Sequence, residues 1–150
     1  MRPTITAAAA TAGYSGKPLA EKLGFKPGMR VAFLALPPSL AGLADEVSDA
    51  TTFSTWRSLP GGQKLDAVHA FTTSRAEIET GLEGLQGAIK RDGMIWVSWP
   101  KKSAKVATDI TEDVIREVAL PLGYVDVKVC AVTDVWSGLK LVVRKELRRE

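Results

Sequence analysis

Hydrophobic and polar positions along this chain sort into two alternating kinds of segment. Arg30-Val31-Ala32-Phe33-Leu34-Ala35-Leu36 is a short, nearly continuous apolar run that starts after the Lys26-Pro27-Gly28 turn and stops at Pro37-Pro38. That pattern predicts a parallel strand buried on both faces. Leu65 to Phe71 and Met94 to Ser98 read the same way. Between them the period changes. Leu40, Leu43, Ala44 and Val47 recur at helical spacing after a Ser39 cap, with Asp45, Glu46 and Asp49 on the other side. Ser74-Arg75-Ala76-Glu77 predicts a capping box, and Ile78, Leu82, Leu85 and Ile89 continue it as one apolar stripe. Lys90 and Arg91 would complement that helix's dipole, and Gly93 would end it. Thr111 predicts the cap of a further helix from Glu112 to Leu120, closed by Pro121 and Gly123. A shorter helix, Gly16 to Leu23, would open on Ser15 and close at Gly24. Val125 to Thr133 and Leu139 to Arg144 complete the chain as a hairpin around Asp134-Val135-Trp136-Ser137-Gly138.

Strands alternating with helices predict an α/β fold: a three-layer, Rossmann-like, mostly parallel sheet of five or six strands with a C-terminal antiparallel hairpin. The sixth strand turns on Thr51 to Thr55, a weak β-like stretch. Only eight residues, Arg57 to Lys64, separate it from the next strand. A parallel crossover usually takes about a dozen residues or more, although eight extended residues reach roughly 28 Å. Either the crossover is lean or the stretch lies outside the sheet. The domain plan is a flexible leader at 1–13, one domain at 14–146 and a charged tail at 147–150.

Composition narrows the chemistry. The chain has 150 residues, 45% hydrophobic and 25% charged, enough for one core without disulfide or metal staples. One cysteine and one histidine exclude a disulfide framework and a Cys/His zinc site. No apolar run has the length of a membrane helix. Thr4, Thr6 and Thr11 dilute the Ala7–Ala10 run below a secretory signal, so a cytoplasmic location is expected. Lys and Arg exceed Asp and Glu by 20 to 17. Part of the excess is the tail, where Glu146 and Glu150 interrupt Arg144, Lys145, Arg148 and Arg149. A solvated tail is expected there, with no nucleic-acid partner and no membrane. His69 reads as a packed mid-strand residue and Cys130 as a small hydrophobe. Asp109, Glu112 and Asp113 are explained by a helix start, so no metal site is assigned.

Two resemblances stand on particular segments. Residues 17–36, from Lys17-Pro18-Leu19-Ala20 to the first strand, and residues 82–100, a helix, glycine turn and strand, resemble the class I S-adenosylmethionine-dependent methyltransferase core. So does the closing hairpin. Gly13-Tyr14-Ser15-Gly16-Lys17-Pro18-Leu19-Ala20, Trp99-Pro100-Lys101-Lys102, Thr111-Glu112-Asp113-Val114 and Asp134 to Lys140 resemble a family of small bacterial proteins of unknown function. That second resemblance implies a Rossmann-like domain and supplies no activity.

The cofactor elements of the first resemblance are missing from the sequence. Such enzymes need a glycine-rich turn after the first strand, where backbone amides approach the ligand. Here the position reads Leu36-Pro37-Pro38-Ser39-Leu40-Ala41-Gly42, and two prolines remove two donors. The acid that holds ribose hydroxyls is replaced by Thr55-Trp56-Arg57. The expectation is therefore no cofactor, with S-adenosylmethionine disfavoured by Pro37-Pro38, and no catalytic residue is assigned. Ligands of open α/β sheets bind at the strands' C-terminal ends. Ser39, Arg75, Trp99, Lys101, Lys102, Asp134 and Trp136 are placed there as a candidate surface. Tryptophan with lysine suits a small planar or anionic ligand, or a protein partner. The alternative is that Trp99 and Trp136 pack on each other and on Pro100. The functional expectation is a non-catalytic binding or accessory protein using this edge; the alternative is a divergent S-adenosylmethionine-dependent methyltransferase.

Overall fold

The computed structural model describes residues 18–59, 62 and 64–148. The expected 1–13 leader, the Ser15 cap and the last two residues of the tail lie outside that range. Six strands form one sheet: β1 (Arg30–Leu34), β2 (Asp49–Phe53), β3 (Leu65–Phe71), β4 (Ile89–Pro100), β5 (Tyr124–Ala131) and β6 (Trp136–Val143). Their order is β2-β1-β3-β4-β6-β5. The first four are mutually parallel, and β6 runs antiparallel to both β4 and β5. The helices are α1 (Leu19–Lys22), α2 (Ala41–Asp45), α3 (Arg75–Leu85) and α4 (Glu112–Ala119). None is long and apolar enough to cross a membrane.

The alternation of side chains across each strand splits the core in two. On one face Ile78, Leu82 and Leu85 of α3 and Ile115 and Ala119 of α4 cover Ala32, Val68, Ile95 and Val97. On the other, Ala20 and Leu23 of the α1 segment and Leu40 and Leu43 beside α2 cover Val31, Phe33, Ala67 and Trp96. This is the three-layer α/β fold expected from the alternating pattern.

The sixth strand is present, two residues earlier than expected. β2 pairs with β1 from Arg30↔Asp49 to Leu34↔Phe53. Between Phe53 and Leu65 the chain must then pass β1 to reach β3. Trp56, in the single 3-10 turn Trp56–Ser58, makes so short a crossing possible. Its indole is 5% exposed and its N–H donates to the Phe71 carbonyl at 3.0 Å, which ties the crossover to the end of β3. Gly81 of α3 gives the indole room, since a Cβ there would stand 3.0 Å from the ring.

Several local expectations are corrected. The turn after β1 is a 3-10 helix, Pro38–Leu40, because proline's fixed φ suits a first helical position. Ser39 falls inside it, and the cap position of α2 passes to Leu40. Ser74 does not cap α3 through its side chain. The Thr72 hydroxyl accepts from the Ser74 amide, and Asp109 Oδ1 accepts from the Arg75 amide at 2.7 Å. A carboxylate from a distant loop thus supplies the cap. The helix also stops at Leu85, well short of Ile89. Ile89 already belongs to β4, and the register with β3 shifts between Leu65↔Ile89 and Ala67↔Met94. Lys90 therefore lies on a bulge, where its ammonium pairs with Asp66 at 2.9 Å. Thr111 caps α4 as expected, its hydroxyl accepting from the Val114 amide at 3.2 Å.

Candidate functional site

Strand β1 is connected outward to β2, whereas β3 is connected the opposite way to β4. Their C-terminal ends therefore flank a topological switch point, where open α/β sheets hold ligands. The chain leaves β1 through Ala35, at φ +56°, with its amide donating to the Phe53 carbonyl at 2.8 Å. A left-handed residue here lets the chain turn sharply off the strand, the job a glycine performs in nucleotide-binding turns. Pro37 and Pro38 carry no N–H, and the Leu40 amide donates to the Pro37 carbonyl. The turn's remaining donors are the amides of Leu36 and Ser39. An open cleft of about 840 Å³ lies beside it, walled by Leu36, Ala41, Ala44 and Phe53, with Asp45 and Ser54 as polar groups. That volume suits a small-molecule site.

The left-handed turn stores strain, because an L-residue with a Cβ pays roughly 1–2 kcal/mol in that region. Ala35→Gly relieves it, while the freer unfolded chain takes back about 0.4–1 kcal/mol. The expected result is a stability gain of about 0.5–1 kcal/mol in urea unfolding. A loss would show that the Ala35 methyl group contributes packing that outweighs the strain.

The seven residues expected at the strand-end edge do not form one surface. Trp99 is buried on the α3–α4 face. Trp136 sits against the opposite core, its ring edge-to-face with Phe71 at 5.3 Å. Pro100 is the register partner of Trp136, and Trp99 that of Ser137. Adjacent positions on a strand point to opposite faces, so the two tryptophans neither converge on a ligand nor pack on each other. Arg75 is committed to Glu79 at 2.8 Å and Glu117 at 3.0 Å. Lys101 is half-buried, and its amide donates to the Val135 carbonyl at 2.7 Å. Lys102 and Asp134 are exposed, as is Ser39 in the β1 turn. Of the seven, Ser39 alone belongs to the turn beside the cleft.

His69 is fully buried within β3. Its Nε2 and Ser98 Oγ share a hydrogen bond of 2.7 Å, and its ring stacks on Phe71 at 4.3 Å. Burial pushes its pKa down to about 3, so the ring is neutral. Cys130 is buried among apolar groups. Glu112, Asp113 and Asp126 all surround the Arg116 guanidinium.

Sequence reasoning missed Ala35, Asp45 and Ser54. Alanine carries no signal for a left-handed conformation. Asp45 reads as the wet side of a helix, and Ser54 was counted inside a strand.

A mostly parallel, doubly covered sheet ending in an antiparallel hairpin defines a methyltransferase-like α/β fold. Solved structures bear this out. An S-adenosylmethionine-dependent methyltransferase from Aquifex aeolicus superposes with a TM-score of 0.64 at 14% identity, over 84% of this chain and 88% of that one. Magnesium protoporphyrin IX methyltransferase from Synechocystis PCC 6803, solved with S-adenosylmethionine bound, gives 0.57 at 15% identity, over 84% and 74%. A TehB-like S-adenosylmethionine-dependent methyltransferase from Corynebacterium glutamicum gives 0.57 at 13% identity, over 90% and 92%. No protein-family profile and no curated protein sequence matches the chain. At such identities the likeness establishes the fold. It corrects the expectation of no cofactor, because these neighbours point toward S-adenosylmethionine. The physical reason is local: Pro37-Pro38 removes glycines, yet Ala35 makes the sharp turn without one.

Proposed function

We propose that this chain is a divergent S-adenosylmethionine-dependent methyltransferase that binds the sulfonium cosubstrate in the cleft between the β1 turn, α2 and the end of β2. The observation that carries the reading is the left-handed Ala35 at the head of β1, opening directly onto that cleft. The amides of Leu36 and Ser39 offer donors for the ligand's carboxylate. Asp45 and Ser54 offer hydrogen bonds to ribose hydroxyls, and Phe53, Ala41 and Ala44 give an apolar wall for a purine. Bound there, S-adenosylmethionine would supply an electrophilic methyl group and leave as S-adenosylhomocysteine. The chain's own task is to align that group with an acceptor, since proximity and orientation supply much of such a barrier reduction. The reading also takes the chain as a cytoplasmic member of the small bacterial Rossmann-like proteins that its Trp99–Lys102 and Asp134–Lys140 segments resemble.

Calorimetric titration with S-adenosylmethionine and S-adenosylhomocysteine tests this. Saturable binding of both is expected. Asp45→Ala should weaken it about tenfold, the worth of one hydrogen bond to a charged group. Absence of binding at millimolar ligand overturns the proposal. Unchanged affinity in Asp45→Ala removes only the ribose assignment.

A further inference from the structure

Lys140 of β6 stands directly opposite Lys128 of β5 in the strand register. Its register partner on the other side is Trp96 of β4. The Trp96 indole N–H donates to the Leu23 carbonyl at 2.9 Å, which fastens the end of the α1 segment over this stretch of sheet. Lys26 follows three residues later, close enough for its charge to act on Lys140. Lys128 and Lys140 thus share the face of the sheet that carries α1, with Lys26 just beyond the end of that segment.

Several cations elsewhere in the molecule are paired. Arg75 has Glu79 and Glu117, Arg116 has three carboxylates, and Lys90 has Asp66. Among the described residues, the side chains of Lys26, Lys128 and Lys140 have no ion pair or hydrogen bond. Within residues 18–29, Glu21 is the one acid. Like charges directly opposite each other destabilise a strand pair, and here a third is added. Partial burial together with Lys128 and Lys26 lowers the Lys140 pKa from its ordinary value. Fold stability gains nothing from this arrangement, whereas a multivalent oxyanion would reverse the repulsion and draw a hydrogen bond from each ammonium.

We propose that Lys26, Lys128 and Lys140 form a binding site for the phosphate group of a ligand, at the β6–β5 end of the sheet and separate from the cleft beside β1 and β2. Lysine suits phosphate as a mobile point charge. The phosphate can come from a free phosphorylated molecule or from a nucleic-acid backbone.

Thermal unfolding and calorimetry of the full chain with pyrophosphate test the site, with sodium chloride at matched ionic strength as the control. Pyrophosphate at saturating concentration is expected to raise Tm by about 3 °C or more beyond the salt control. Lys140→Met should raise Tm without ligand, by relieving repulsion, and abolish pyrophosphate binding. Lys128→Met repeats the test at the paired position. A short single-stranded oligonucleotide forms the second arm. Tighter binding than pyrophosphate identifies a polymer backbone, and weaker binding a free phosphorylated molecule; both support the site, provided Lys140→Met abolishes them. A pyrophosphate effect no larger than that of salt overturns the proposal. So does binding that survives in both variants. Neither readout involves S-adenosylmethionine, so failure here leaves the cleft assignment standing.

Discussion

Acidifying the protein from about pH 7.5 to about pH 4.5 is expected to remove about 2.5 kcal/mol of folding stability through His69 alone. The sign follows from where the proton goes. His69 is fully buried in the native state with its pKa pushed down to about 3 from 6.5. The unfolded chain therefore takes up a proton as pH falls through 6.5, and the native chain does not. Stability from the neutral ring is complete above that value and is lost progressively down to about 3. The surroundings explain why the native ring resists. Phe25, Phe33, Phe71 and Trp96 enclose it, and Ser98 satisfies Nε2. Nδ1 has no partner among the described residues, so a second N–H would be buried without an acceptor. Carboxylates act in a lower window. Asp66 accepts from the Arg30 amide and the Lys90 ammonium, and Asp126 from Arg116, so both are held below the ordinary carboxyl value of 3.8. Their stabilisation is lost only as pH falls below that value. Urea unfolding at each pH above about 4.5 isolates the histidine. His69→Gln should flatten the profile there. A wild-type profile already flat across the window would mean that the ring finds a partner when charged.

The same histidine shows how far the sequence could be read. Its place in the middle of an apolar strand announced a packed residue, and the strand runs from Leu65 to Phe71 as the pattern required. Apolar runs were legible because burial on both faces leaves little choice of residue. Glycine was harder. Gly93 looked like a helix terminator, but a Cβ there would stand 3.0 Å from the Lys90 carbonyl and 3.1 Å from that of Asp66. It serves a bulge in which two backbone segments close together, and composition alone does not distinguish the two uses. The stripe Ile78, Leu82, Leu85, Ile89 failed for a related reason: its last member keeps helical spacing by coincidence while pairing with Leu65 in the sheet. The candidate edge was lost on parity. Trp99 and Trp136 are assigned to the same strand ends by any topology, but the register decides which face each takes. Ala35 had no signal at all, since alanine carries no mark of a left-handed conformation, and the amide's bond to the Phe53 carbonyl comes from a neighbouring strand.

Trp96→Ala is expected to cost about 4–6 kcal/mol, the largest single loss in the molecule. Removing a fully buried tryptophan forfeits about 3–5 kcal/mol through lost burial and the cavity left behind. The Leu23 carbonyl, which accepts the indole N–H at 2.9 Å, adds about 1 kcal/mol or more when orphaned. The cavity has little means of collapsing. Gly138 lies against the ring on β6, where a Cβ would meet it at 3.1 Å, and β4 and β6 are fixed by seven consecutive register pairs from Met94↔Val142 to Pro100↔Trp136. Above the ring, a helix of one turn cannot hold itself in water, so α1 depends on tertiary contacts: this hydrogen bond, the Ala20 amide donating to Glu46 at 2.8 Å, and the burial of Ala20 and Leu23. A domain of this size has about 5–15 kcal/mol in total, so the variant would lose roughly a quarter or more of its stability. With a slope of about 1–3 kcal/mol per molar urea, the midpoint should fall by about 2 M. Trp96→Phe separates the two contributions: it keeps most of the volume, loses the donor, and should cost about 1–2 kcal/mol. Hydrogen exchange at Leu23 and Gly24 should quicken in both variants, because both release the carbonyl that holds α1 down. Equal losses in Ala and Phe would show that the hydrogen bond, and not the buried area, fastens this side of the sheet.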